Sequence, residues 1–201
     1  MRESREIARH AIASLGLDPS DATIHHSISR IDADYGDYSI EVIKLEDSPS
    51  SGIRTFLTVG VSKFDNHFLA PDGRKVRVEF IATAASKWQV VDLGLGDCAF
   101  NIASGDYRAE PETVFPNVFS GYGQDVSTPH AWLTSPVVLH GRHQTIDKLE
   151  DESEVITWLQ VIPVTDSEFE YARANGVDAM AHAFFEAQPD FYDLLRKPFV
   201  Q

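Results

Sequence analysis

The sequence predicts an α+β fold, a single-domain sandwich over residues 1–201 with a mixed, mainly antiparallel sheet covered by helices. Three observations predict it. Val155 to Val164 is almost wholly apolar and rich in β-branched and aromatic residues, as a central strand covered on both faces must be. Lys75 to Thr83 alternates strictly, with Val76, Val78, Phe80 and Ala82 on one face and Lys75, Arg77, Glu79 and Thr83 on the other. Helical spacing appears at both ends of the chain and once in the middle, so strands and helices are segregated rather than alternating.

Each element has its own signal. Ser4 to Leu15 places Ile7, Ala11, Ile12 and Leu15 on one helical face, and Gly16 ends it, giving an N-terminal helix within residues 1–16. After the Asp18-Pro19-Ser20-Asp21 turn, Ala22 to Ile31 reads as a strand of mixed polarity. Tyr38 to Leu45 and Arg54 to Ser62 read as strands joined by the loop Asp47 to Gly52. Pro71-Asp72-Gly73 has turn chemistry and leads into the alternating strand, which suggests an antiparallel pair with the strand before it. From Lys87 to Ala103, Trp88, Val91, Leu95, Ala99 and Ile102 fall at helical spacing. Gly94 and Gly96 each weaken that helix by roughly 1 kcal/mol relative to alanine, so a kink or a split into two helices is expected.

Gly105 to Thr134 is turn-rich and aromatic, with Trp132 to Leu139 returning to the sheet. Pro163 has no N–H to donate and is expected to stop the ladder of the apolar strand. Thr165 then caps a helix, Glu168 completes a capping box, and Val164 with Phe169 occupies the positions of a hydrophobic staple. Asn175-Gly176 ends this helix. Val177, Met180, Phe184 and Ala187 form the stripe of another, which Pro189 closes, so residues 166–196 carry the C-terminal helices.

Composition narrows the function classes. The net charge is −14 over 201 residues, and the pI is about 4.8. A nucleic-acid binder needs a positive footprint and this chain has the reverse; an acidic surface suits a basic protein partner, or serves solubility alone. One cysteine, Cys98, excludes an internal disulfide and fits a buried, inert thiol in a reducing cytoplasm. No apolar run reaches the ~18–20 residues that span a membrane, and the charged N-terminus lacks the apolar core of a secretory signal. The acidic run Asp147, Glu150, Asp151, Glu152, Glu154 reads as a solvated loop.

Tests for chemistry find little. His25 and His26 are adjacent and would point to opposite faces of a strand. His140 and His143 sit in a loop context set by Ser135-Pro136 and Gly141. No dense ligand spacing occurs, so no metal and no cofactor is expected. Gly94-Leu95-Gly96 and Gly121-Tyr122-Gly123 lack the lysine or third glycine of nucleotide-binding loops. The best enzymatic candidate is His130 with Asp125 as a general base, against which stands a structural reading in which Asp125 and Thr128 satisfy turn backbone. Tyr122, Asp125, His130 and Trp132 are candidates for a recognition surface, since aromatics flanked by polar groups make anchors; the same aromatics could instead fill a core rim. Glu79 and Gln160, polar residues inside strongly β stretches, read as structural groups that find internal partners.

The segment Trp158-Leu159-Gln160-Val161-Ile162-Pro163-Val164-Thr165, followed by an acidic helix and the tail Asp190-Phe191-Tyr192-Asp193-Leu194-Leu195-Arg196, resembles the suppressor of fused family. Thr55 to Ser62 and Arg77 to Ile81 agree with the family pattern in the same order, and the resemblance runs over roughly residues 22 to 199. It implies the same α+β class and a non-enzymatic protein that holds another protein. For a chain with a single family domain it implies a bacterial immunity or sequestering protein that neutralises a toxin by binding; the acidic charge makes a basic toxin the expected partner, with a cytoplasmic setting and a monomer or weak dimer as the expected state. Two alternatives stay open: an intracellular regulator that sequesters a transcription factor, and a small hydrolase built on His130 or His143. An extended peptide lying along a sheet edge is the mode of recognition the resemblance implies.

Overall fold

Among the described residues, eight strands form one sheet whose centre is the pairing of β4 with β8, and helices cover both of its faces. The computed structural model describes residues 2–21, 24–32, 36–105, 107–138, 145–147 and 153–200. The elements are α1 (Arg2–Ser14), β1 (Ile24–Asp32), β2 (Gly36–Leu45), β3 (Ile53–Val59), β4 (Lys75–Ala85), α2 (Val91–Ala103), β5 (Val114–Phe115), β6 (His130–Thr134), β7 (Thr145–Asp147), β8 (Glu154–Val164), α3 (Asp166–Asn175) and α4 (Val177–Ala187). Strand order is β1-β2-β3-β4-β8-β6-β5, with β7 also pairing β8. β4 and β8 run parallel, Lys75 opposite Glu154 through Ala82 opposite Val161, and every other pairing is antiparallel. The mixed, mainly antiparallel sheet read from the sequence is the one observed.

Strand alternation sorts the core into layers. Val42, Phe56, Phe80 and Leu159 meet α2 on one face, in a cluster completed by Leu95, Ala99 and Phe119. Ile43, Leu57, Ile81 and Trp158 meet Ile7, Ala11 and Ile12 of α1 on the other. A third cluster joins Trp132, Ile162 and Val164 to Met180 and Phe184, seating the C-terminal helices at the β6–β8 end.

Several expectations need correcting. The middle helix starts at Val91, after the buried Trp88, and is one unbroken helix. Its glycines mark close approaches: a Cβ on Gly94 would stand 2.2 Å from the Phe119 ring, and one on Gly96 would stand 3.1 Å from Ile28. The ladder does not stop at Pro163, which lies opposite Ala131 within β8. Beyond Val161 β4 no longer flanks the strand, and the Pro163 carbonyl there accepts from Arg196 Nη2 at 2.9 Å. A residue's N and O point to the same side of a strand, so the missing N–H costs no bond to β6. β6 spans His130–Thr134 rather than 132–139, because Ser135-Pro136 leaves the ladder; Leu139, His140 and His143 lie outside the described residues. Of the acidic run, Glu150, Asp151 and Glu152 also lie outside them. Glu154 is no solvated charge, since it is buried against Arg77 Nη2 at 2.6 Å. On α4, Met180 and Phe184 are buried but Ala187 is exposed.

Candidate functional site

The capping signal at the end of β8 folds as its sequence demands. Thr165 accepts from the Glu168 amide through its side chain, and the Glu168 carboxylate accepts from the Thr165 amide. This fixes where α3 begins and puts Asp166 and Phe169 beside His130 of β6. The Asn117 N–H donates to His130 Nδ1 at 3.0 Å. Nδ1 therefore carries the lone pair, and in the neutral ring Nε2 carries the proton, which it donates to Asp166 Oδ1 at 3.0 Å. The ring stacks on Phe169 with centroids 4.4 Å apart. Both ring nitrogens are committed and the side chain is 4% exposed, so neither is free to take a proton from a substrate.

The partner of His130 is thus Asp166, 36 residues away, not Asp125. Asp125 is exposed. Thr128 does not serve its own turn either: its hydroxyl donates to the Leu194 carbonyl at 3.2 Å, and Ser127 Oγ donates to the Arg196 carbonyl at 2.8 Å. The loop before β6 is a strap that holds the C-terminal tail. Trp132 is 1% exposed, set edge-on to Phe184 at 5.4 Å. Tyr122 is half-buried against the α2-side cluster, with its hydroxyl donating to the Asp97 carboxylate. The four candidates Tyr122, Asp125, His130 and Trp132 therefore do not share one open surface; Trp132 and His130 are interior.

Glu79 and Gln160 find separate partners rather than each other. The Glu79 carboxylate accepts from the Thr58 hydroxyl at 2.7 Å, the Gly60 and Ser62 amides at 2.8 and 3.1 Å, the Val61 amide at 3.3 Å and the Ser62 hydroxyl at 2.7 Å. Gly60 makes this cradle possible by adopting a φ of 114°. Burial pushes the Glu79 carboxyl above its ordinary value, and the donors around it pull the other way without cancelling that effect. Gln160 Oε1 accepts from the Val137 amide at 2.8 Å. Cys98 is fully buried, and burial raises its thiol well above the usual range, so it has no thiolate character.

A cavity of about 180 Å³ opens beside the first half of β8, lined by Phe68, Val76, Val78, Ala109, Pro111 and Leu159 among others. Asn66 fixes its rim: Nδ2 donates to the Ala109 carbonyl and Oδ1 accepts from the Ala109 amide, both at 2.7 Å. Glu110 is the one titratable side chain among the described lining residues. Among the described residues no three His, Cys, Asp or Glu side chains are grouped to hold a metal ion, and no helix is long and apolar enough to cross a membrane.

Sequence reasoning missed the Glu168–Arg196 pair and the His130–Asp166 contact. The capping box had already brought Glu168 to notice, and the tail motif ending in Arg196 was the available signal for its partner.

Comparison with known proteins gives this architecture its context. The chain is 26% identical over 199 residues to "Immunity protein YqcF" of Bacillus subtilis (strain 168), covering 99% of this chain and 98% of that protein. Its fold matches a suppressor of fused homologue from Neisseria gonorrhoeae FA 1090 with a TM-score of 0.64 at 13% identity, over 98% of both chains. It matches the structure of the Sufu-Fu complex with a TM-score of 0.57 at 12% identity, over 90% of this chain and 83% of that one. The family model of the suppressor of fused protein (SUFU) matches residues 36–197, and the chain belongs to that family.

Proposed function

We propose that this protein is an immunity or sequestering protein that neutralises a cognate toxin by binding it, and that it performs no chemistry of its own. The observation that carries this reading is the end-to-end similarity to a protein named as an immunity protein, across 99% of the chain. The Sufu-Fu complex adds that this fold can hold another protein. The binding reading is also supported by His130, whose two nitrogens are both occupied, and by a cavity whose described lining offers one titratable group. With a net charge of −14, the partner is basic, since opposite potentials steer encounter and set specificity. The setting is the bacterial cytoplasm, and the complex blocks the toxin sterically.

The test is co-expression of this chain with the products of its neighbouring genes, scoring rescue of growth and recovery of a complex. Rescue with a stable complex is the expected result. Absence of rescue by any neighbour, with no basic protein retained, sinks the reading. Copurification of a transcription factor instead would move the function to intracellular regulation.

A further inference from the structure

The outward face of α4 has a composition that neither packing nor capping requires. The helix buries Met180 and Phe184, and a 3.6-residue period then turns Asp178, His182, Phe185 and Glu186 away from the core. All four are exposed, and Phe185, at 60%, is one of the few large apolar side chains left in water. Its ring touches Phe184 edge-on at 5.7 Å and 86°, so it is anchored in orientation while more than half of it stays open.

Charge frames this aromatic with one sign. From residue 166 to 193 the chain carries seven acids (Asp166, Glu168, Glu170, Asp178, Glu186, Asp190, Asp193) against one arginine, Arg173, no lysine and one histidine, His182. Glu168 is neutralised by Arg196, Glu170 faces Arg173, and Asp193 faces Lys87. Asp166, Asp178, Glu186 and Asp190 are exposed and meet no lysine or arginine in any of these pairs, although Glu186 lies 3.3 Å from His182 and Asp166 lies 3.0 Å from His130. The cavity beside β8 lacks such a bias: Glu110 is the one titratable side chain among its described lining residues, so nothing selects what would fill it.

We propose that the outer face of α4, centred on Phe185 and flanked by Asp178, Glu186 and Asp190, is the docking surface for an arginine-bearing segment of the protein partner. The inference rests on the sequestering function proposed above and deepens it by naming the contact face and the chemistry that meets it. A guanidinium laid on the Phe185 ring keeps its planar face on the aromatic and leaves its N–H edge open to water and to the acidic surroundings. Lysine fits less well, because its ammonium is a compact, strongly hydrated point charge. The molecule already uses this geometry internally, with the Arg196 guanidinium 5.2 Å from the Phe199 ring centre.

The experiment uses the full chain, isotope-labelled, titrated with deca-arginine and deca-lysine peptides at pH 7.5 and read by NMR. Shifts centred on residues 178–190, with tighter binding of the arginine peptide, are expected. Phe185→Ala should weaken the arginine peptide about two- to fivefold and leave the lysine peptide nearly unchanged. The pair Asp178→Lys with Glu186→Lys should weaken both roughly tenfold at low salt, an effect that fades as salt rises. These side chains are exposed, so thermal melts should be unaltered; a variant that melts early is replaced by Phe185→Gln. Shifts centred elsewhere, or wild-type affinity in all variants, overturn the surface. The two proposals fail separately. If wild type and the Asp178→Lys, Glu186→Lys variant rescue toxicity equally, the surface is wrong and the function stands. If wild type rescues nothing, the function is wrong, whatever the peptides do.

Discussion

Arg196 reaches back 28 residues to clasp Glu168 with both prongs of its guanidinium, Nη1 2.5 Å from Oε1 and Nη2 2.7 Å from Oε2. Glu168 is fully buried and also accepts from the Thr165 amide at 2.8 Å and the Phe199 amide at 3.0 Å. One carboxylate thus starts α3, closes the capping box and holds the C-terminal tail. A buried charge of this kind is costly once its partner is gone.

Arg196→Met should therefore destabilise the fold by about 3–5 kcal/mol, because it strands the Glu168 charge. Adding Glu168→Gln to that variant should recover part of the loss. Denaturant unfolding of the two variants measures both effects, and an unchanged midpoint for Arg196→Met would contradict the role given to the pair.

Glu79→Gln replaces an acceptor of five donated hydrogen bonds by an amide whose NH₂ would face some of those donors. The expected loss is about 2–3 kcal/mol near neutral pH. Since the folded Glu79 carboxyl lies above its ordinary value, its pH-linked contribution is fully present below the unfolded value. That contribution is lost as pH rises through the folded value. The stability of wild type relative to Glu79→Gln should accordingly fall between pH 4 and the raised folded value, then level off. Paired denaturation curves across that range would show it.

Gly94→Ala sets two rules against each other. Helix propensity alone promises a gain of about 1 kcal/mol, but the new Cβ would stand 2.2 Å from the Phe119 ring and 3.0 Å from the Val118 carbonyl. Overpacking against a buried ring should win, with a net loss of about 1–3 kcal/mol. A lowered thermal midpoint is the expected readout; a raised one would mean that Phe119 yields easily.

The His130 tautomer is open to direct measurement. Long-range ¹⁵N correlation spectra should show Nδ1 bare and Nε2 protonated in the neutral ring, since the Asn117 amide already donates to Nδ1. The opposite tautomer would contradict the donor and acceptor roles given to the two ring nitrogens.

What could be read from the sequence was local. β8, the Thr165–Glu168 box, the α3–α4 junction at Gly176 and the alternation of β4 all rest on residues within a few positions of one another, and all are found as expected. The misreadings involve partners distant along the chain. His130 invited pairing with Asp125, five residues away, whereas α3 delivers Asp166. Gly94 looked like a break in a helix until Phe119 was seen lying across it. Pro163 looked like a terminator because nothing local indicates that β8 has lost one neighbour by that point and that Arg196 occupies the vacant side. Burial of Trp132 depends on α4 folding over β6, which no periodicity in residues 105–134 encodes.

The parallel seam between β4 and β8 joins residues 75–82 to residues 154–161. During synthesis, the first half of the sheet must wait as an unfinished edge while some seventy residues more are made, because its central neighbour has not yet been translated. Pairing at such sequence separation is entropically slow. A nascent chain is therefore exposed to aggregation during that interval.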